Sequence, residues 1–187
     1  MRAPRFSVCV YCGSRPGHDT AYLHAAQDMG RTIADRGWRL VYGAGDIGLM
    51  GAVAKAATDA GAPTLGIIPE HLLKLEAHLG DAVYGDRIVT ETMHERKKVM
   101  LMNADAVVVL PGGAGSLDEF FEVLTWAQLG LHAKPIVLLN VAGYWDPLIA
   151  LIDHVIAQGF ADASLRRFLT IAATAEDVVK TFRETAD

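Results

Sequence analysis

Short apolar runs rich in β-branched residues alternate with helix-spaced segments along the whole chain, and this alternation narrows the possible folds more than any other feature. The runs cover residues 6–11, 39–42, 64–68, 106–110, 136–140 and, more weakly, 169–172. Nearly every residue in them is apolar, where a sheet with one wet face would show strict alternation, so helices must cover both faces. Strands separated by helical crossovers form a parallel sheet. The expectation is therefore α/β: a doubly wound, Rossmann-like, mostly parallel sheet with helices on both sides. Helical patterns occupy 22–33 before the stop at Gly37, then 49–60, 93–104, 117–129, 147–158 with Pro147 in its first turn, and 175–184. A length of 187 residues with 51% hydrophobic content suits one domain spanning 1–187. Residues 69–91 are the least regular stretch, and a long insertion of this kind is often a lid or binding loop.

In an open parallel sheet, ligands sit at the carboxyl ends of the strands near the switch in strand order. Three loops are expected to meet there: residues 12–17, residues 43–51 and residues 111–119. In the last, Pro111-Gly112-Gly113-Ala114-Gly115-Ser116-Leu117-Asp118-Glu119 joins a strand to a helix expected to begin near Ser116. Glycines there expose backbone N–H groups, and a helix start adds unpaired donors and the positive end of its dipole. A phosphate bound by Gly112, Gly113, Ala114, Gly115 and Ser116 would lie close to the Glu119 carboxylate. Ser116 and Glu119 also have the spacing of a capping box, which explains them without a ligand but leaves the glycines in front unexplained.

Gly43-x-Gly45-x-x-Gly48 matches the dinucleotide fingerprint, with Glu70 just past the next strand. That fingerprint belongs to the first strand–helix turn of its fold, whereas this copy follows the second strand; tight turns and close helix packing account for the glycines equally well. Met93-His94-Glu95-Arg96-Lys97-Lys98 opens a helix. It reads either as a solvated basic face partnered by Glu95, or as a site where Arg96 grips a substrate oxyanion and so offsets its poor placement against the helix dipole.

Other classes of function find little support. A net charge of −5 advertises no surface for nucleic acid. No apolar run approaches the ~20 residues of a membrane span, and Met1-Arg2-Ala3-Pro4-Arg5 runs into a strand without a leader, so a cytoplasmic protein is expected. Cys9 and Cys12 spell Cys-x-x-Cys inside and after a strand, with no second pair to complete a zinc site; two reduced thiols, at least one of them buried, are expected. The histidines lack ligand spacing, so no metal is assigned.

The Met93-His94-Glu95-Arg96-Lys97 and Pro111-Gly112-Gly113-x-Gly115-Ser116-x-x-Glu119 segments resemble the paired signature of the Lonely Guy (LOG) family, cytokinin-activating nucleoside 5′-monophosphate phosphoribohydrolases. The similarity extends through Thr125-Trp126-Ala127-Gln128-Leu129-Gly130 and back to Gly43–Gly51, covering nearly the whole chain. Ser116 replaces the family's usual threonine and Asp118 its frequent glutamate; hydroxyl and charge are kept. The resemblance implies hydrolysis of the bond between an N6-substituted adenine and ribose 5-phosphate. It implies Arg96 and Glu119 as catalytic residues, and Ser14, Glu76, Met93, Lys97 and the Gly112–Ser116 loop as further substrate contacts. It implies no metal or redox cofactor, and a homodimer using the apolar stretch 125–131. Family members are often labelled lysine decarboxylases, but pyridoxal chemistry needs a Schiff-base lysine with partners for the phosphate and ring nitrogen, and no such set is visible. The rivals are a non-catalytic nucleotide carrier of the same fold, a plain AMP hydrolase and a nicotinamide oxidoreductase.

Overall fold

The computed structural model describes residues 6–76 and 84–186. Its elements run β1 Ser7–Tyr11, α1 Thr20–Asp35, β2 Arg39–Tyr42, α2 Gly48–Asp59, β3 Thr64–Pro69, α3 Glu70–Glu76, β4 Asp86–Thr90, α4 Met93–Met102, β5 Ala106–Val109, α5 Ala114–Gln128, β6 Ile136–Leu139, α6 Asp146–Ala157, β7 Thr170–Ala172 and α7 Ala175–Ala186, with short 3-10 turns at Val141–Gly143 and Ala163–Phe168. The seven strands lie in the order β4-β3-β2-β1-β5-β6-β7, and every pair is parallel. The expected α/β architecture is present.

Alternation along β1 divides the core in two. Val8 and Val10 pack with Met29 and Ile33 of α1, Val53 of α2 and Val178 of α7 on one face. Cys9 and Tyr11 pack with Met100 of α4, Phe120 of α5 and Ile152 of α6 on the other. Between α1 and α2, Gly30 permits a close approach: a Cβ there would lie 2.4 Å from the Val53 carbonyl oxygen.

One strand, β4, arises where only irregular chain was expected. Asp-Arg-Ile-Val-Thr offers no continuous apolar run, because β4 forms an edge and only its last residue, Thr90, is buried. Gly85, at φ +73°, leads into it; a Cβ there would lie 2.0 Å from the Thr64 hydroxyl. Among the described residues no helix is long and apolar enough to cross a membrane.

Topology places the site. The chain winds outward from β1 through β2 and β3 to β4, and α4 then carries it back to β5 on the other side of β1. The loops after β1, β2 and β5 therefore flank the switch point and open onto one crevice.

Candidate functional site

A cavity of about 740 Å³ occupies that crevice, walled by all three glycine-bearing loops together with α4 and the start of α5. The loops brace one another: the Gly13 N–H donates to the Pro111 carbonyl at 3.0 Å. The Gly13 carbonyl accepts from Leu49 N–H at 3.1 Å and Met50 N–H at 3.2 Å, two of the donors that begin α2. Gly48, at φ +61°, lies against the Ser14 backbone, where a Cβ would come within 2.3 Å. Gly48 of the Gly43-x-Gly45-x-x-Gly48 motif therefore serves packing, while Gly43 and Gly45 line the cavity. The motif's helix start gives donors to a neighbouring loop, as a dinucleotide cradle would not.

The start of α5 is different. Gly113 occupies its N-cap with no side-chain capping bond, Ala114 begins the helix, and no atom outside the immediate chain lies within 4 Å of a Cβ built at Gly113 or Gly115. The first turn thus opens into the cavity with exposed backbone donors and the positive end of a fifteen-residue helix. The capping box that Ser116 and Glu119 offer as an alternative is not formed. Ser116 sits within the first turn, buried against Gly112, and Glu119 lies one turn further in. Sequence spacing misplaced the cap because glycine can end a loop without a capping side chain. A true capping box stands at the start of α4, where the Thr92 hydroxyl accepts from Glu95 N–H and the Glu95 carboxylate accepts from Thr92 N–H, both at 3.2 Å.

That box fixes the register of α4 and turns Arg96 inward. Arg96 is 7% exposed; its Nε donates to the Ile67 carbonyl at 3.1 Å and Nη2 to the Gly43 carbonyl at 2.9 Å, tying together the ends of β3 and β2. Gly43 is required here, since a Cβ would fall 2.0 Å from Nη2. A guanidinium has five N–H donors, so some remain for the cavity that Arg96 lines.

Glu119 faces the same cavity and is 9% exposed. Burial pushes its carboxyl from the ordinary 4.5 up to about 7; Arg96 opposes the rise, Asp118 adds to it, Lys97 opposes it and Glu122 adds to it. A buried carboxyl poised near neutrality beside a guanidinium and a free helix start is equipped for acid–base or cation-stabilising work next to a bound anion.

Similarity to known proteins agrees with this geometry. A family model described as "Possible lysine decarboxylase" matches residues 50–182. The cytokinin riboside 5′-monophosphate phosphoribohydrolase LOG of Oryza sativa subsp. japonica is 45% identical over 98% of this chain and 75% of its own length. The Arabidopsis thaliana protein LOG3, named for the same activity, is 45% identical over 96% of this chain and 82% of its own. The chain belongs to the LOG family. The fold also matches a molybdenum cofactor carrier protein from Chlamydomonas reinhardtii with TM-score 0.70, covering 95% of this chain and 96% of that one at 20% identity. At that identity the likeness concerns the LOG fold and not its chemistry.

In this LOG chain the cavity wall gathers most of the residues anticipated from sequence: Ser14, Met93, Arg96, Glu119 and the Gly112–Ser116 loop. Lys97 is placed differently. It is 5% exposed and absent from the cavity wall, its ammonium bound to Asp118 at 2.9 Å and Glu122 at 2.8 Å. The solvated basic face is thus confined to His94 and Lys98. Glu76 closes α3, and its side chain lies outside the described residues. Cys9 and Cys12 are both free and buried. Among the described residues no group of three or more His, Cys, Asp or Glu is placed to hold a metal ion.

Sequence reasoning missed Tyr144. It lines the cavity and donates its hydroxyl to the Gly112 carbonyl at 2.6 Å, fixing the peptide that leads into the α5 start, and it packs edge-on against Tyr22. A lone tyrosine after β6 carries no local motif, and only the fold brings it to the loop.

Proposed function

We propose that the chain hydrolyses the N-glycosidic bond of N6-substituted adenosine 5′-monophosphates, cytokinin nucleotides such as isopentenyl-AMP, to free base and ribose 5-phosphate. The observation that carries this reading is the buried, near-neutral Glu119 carboxylate one turn beyond an open helix start. The 5′-phosphate lies on the backbone N–H groups of the Gly112–Ser116 loop, and the helix dipole favours its charge. The bond from ribose C1′ to the base nitrogen breaks with build-up of oxocarbenium-like positive charge, which ionised Glu119 stabilises. Water adds its oxygen to C1′ and keeps one proton as the new hydroxyl; Glu119 takes the other and passes it to the departing base nitrogen, so Glu119 ends ionised and charge and atoms balance. Arg96 orients the nucleotide and opposes the rise of the Glu119 carboxyl.

Two consequences are measurable. Glu119 acts ionised, so kcat/KM is expected to rise with pH through about 7 and level off above it, a limb read from initial rates between pH 5 and 9. In Gly112→Ala the new Cβ would meet the Ser116 hydroxyl at 2.1 Å and force the loop aside. A misplacement of that size is expected to lower kcat/KM on the order of 10²-fold, with nucleotide affinity reduced in calorimetry.

A homodimer and a cytoplasmic location belong to the same proposal. Exposed Leu129 and Leu131 at the end of α5, with Met102 at the end of α4, supply apolar surface for self-association, and the unpaired thiols suit a reducing compartment.

A further inference from the structure

Three carboxylates, Asp118, Glu119 and Glu122, crowd the first turns of α5. Glu119 is buried in the cavity wall; Asp118, which lines the same cavity but is exposed, and Glu122 flank it on the helix. Left alone, those two charges would drive Glu119 to hold its proton and would be free to swing. Lys97 opposes both. Reaching across from α4, it bridges Asp118 and Glu122 at 2.9 and 2.8 Å without touching the cavity, while the preceding residue, Arg96, presents its guanidinium to the cavity itself.

We propose that Lys97 is a positioning residue: by binding Asp118 and Glu122 it offsets part of the negative charge flanking Glu119 and sets the height of α5 against α4, favouring the ionised and correctly placed Glu119 carboxylate. This inference rests on Glu119 being the reacting carboxylate. Burial pulls the Lys97 ammonium down, but Glu122 and Asp118 more than offset it and hold it above its ordinary value, so Lys97 stays charged throughout the working range. The other groups facing Glu119 are Arg96 from α4, Cys9 and Tyr11 from β1, and Cys12 just beyond it. Burial pushes both thiols and the phenol up, so none of the three changes charge as Glu119 titrates.

The test is the pH profile of kcat/KM for isopentenyl-AMP in Lys97→Met, Lys97→Arg and Glu122→Gln, with AMP affinity measured by calorimetry in parallel. Lys97→Met removes a positive charge and is expected to move the acidic limb to higher pH by roughly half a pH unit or more, with AMP affinity kept. Glu122→Gln removes a negative charge and is expected to move the limb to lower pH, while Lys97→Arg restores the parent profile. Loss of packing alone would not produce opposite displacements. If Lys97→Met fails to fold, the displacement in Glu122→Gln decides. A limb that stays in place or moves in one common direction overturns the proposal, as does a tenfold loss of AMP affinity in Lys97→Met. Activity retained by Glu119→Gln would instead remove the reading of Glu119 on which the inference rests.

Discussion

Glu119→Gln is expected to stop turnover while leaving the nucleotide bound. The substitution keeps shape and removes charge, so phosphate contacts on the Gly112–Ser116 loop persist while stabilisation of the oxocarbenium-like ribose is lost. Removing a preorganised electrostatic or acid–base group costs on the order of 10²–10⁴-fold in kcat. Stability moves the other way. The folded carboxyl titrates at about 7 against an ordinary 4.5, so its contribution is fully present below 4.5 and is lost as pH rises through 7. At pH 8 the ionised, buried group therefore costs the fold on the order of 3 kcal/mol, which glutamine does not incur. The variant is expected to be inactive yet to melt at higher temperature than the parent at pH 8, with the gap closing at pH 5. A variant destabilised equally at both pH values would show that Glu119 is held for structure.

Arg96→Ala is expected to damage binding, catalysis and folding together. Its guanidinium joins the exits of β3 and β2 through the Ile67 and Gly43 carbonyls, and truncation strands two acceptors beside the cavity, each worth roughly 1–3 kcal/mol if left dry. It also removes the main charge holding the Glu119 carboxyl down, so more of that group is protonated at neutral pH. A melting temperature lowered by several degrees, weaker AMP binding and a loss of at least about 10³-fold in kcat/KM are expected. Arg96→Lys keeps the charge but lacks the planar fork that spans both carbonyls, and is expected to recover only part of each loss. Parent-like AMP affinity in Arg96→Ala would exclude Arg96 from the substrate site.

Much of this was legible in the sequence wherever one residue type does one physical job. Continuous apolar runs such as 106–110 disclosed buried parallel strands, and the alternation with helices disclosed the winding that brings the loops after β1, β2 and β5 together. β4 was invisible because an edge strand needs no apolar run. The Ser116–Glu119 spacing imitated a capping box, yet the α5 helix starts at Ala114 behind a glycine. Lys97 reads as one more basic residue in a basic segment; its inward turn depends on the Thr92–Glu95 cap upstream and on carboxylates that α5 supplies from a distant part of the chain. Tyr144 reaches Gly112 only through tertiary structure. Motifs thus marked the atoms that meet the anion, while the residues supporting them became visible only once the chain was folded.

Incubation of the purified protein with N6-isopentenyl-AMP, and with AMP in parallel, tests the central claim most directly, with free base and ribose 5-phosphate resolved by chromatography. The account predicts stoichiometric release of isopentenyladenine and ribose 5-phosphate, at a rate well above the release of adenine from AMP. Nucleotide binding confirmed by calorimetry, with neither base released, would contradict it and leave a nucleotide carrier on a hydrolase fold.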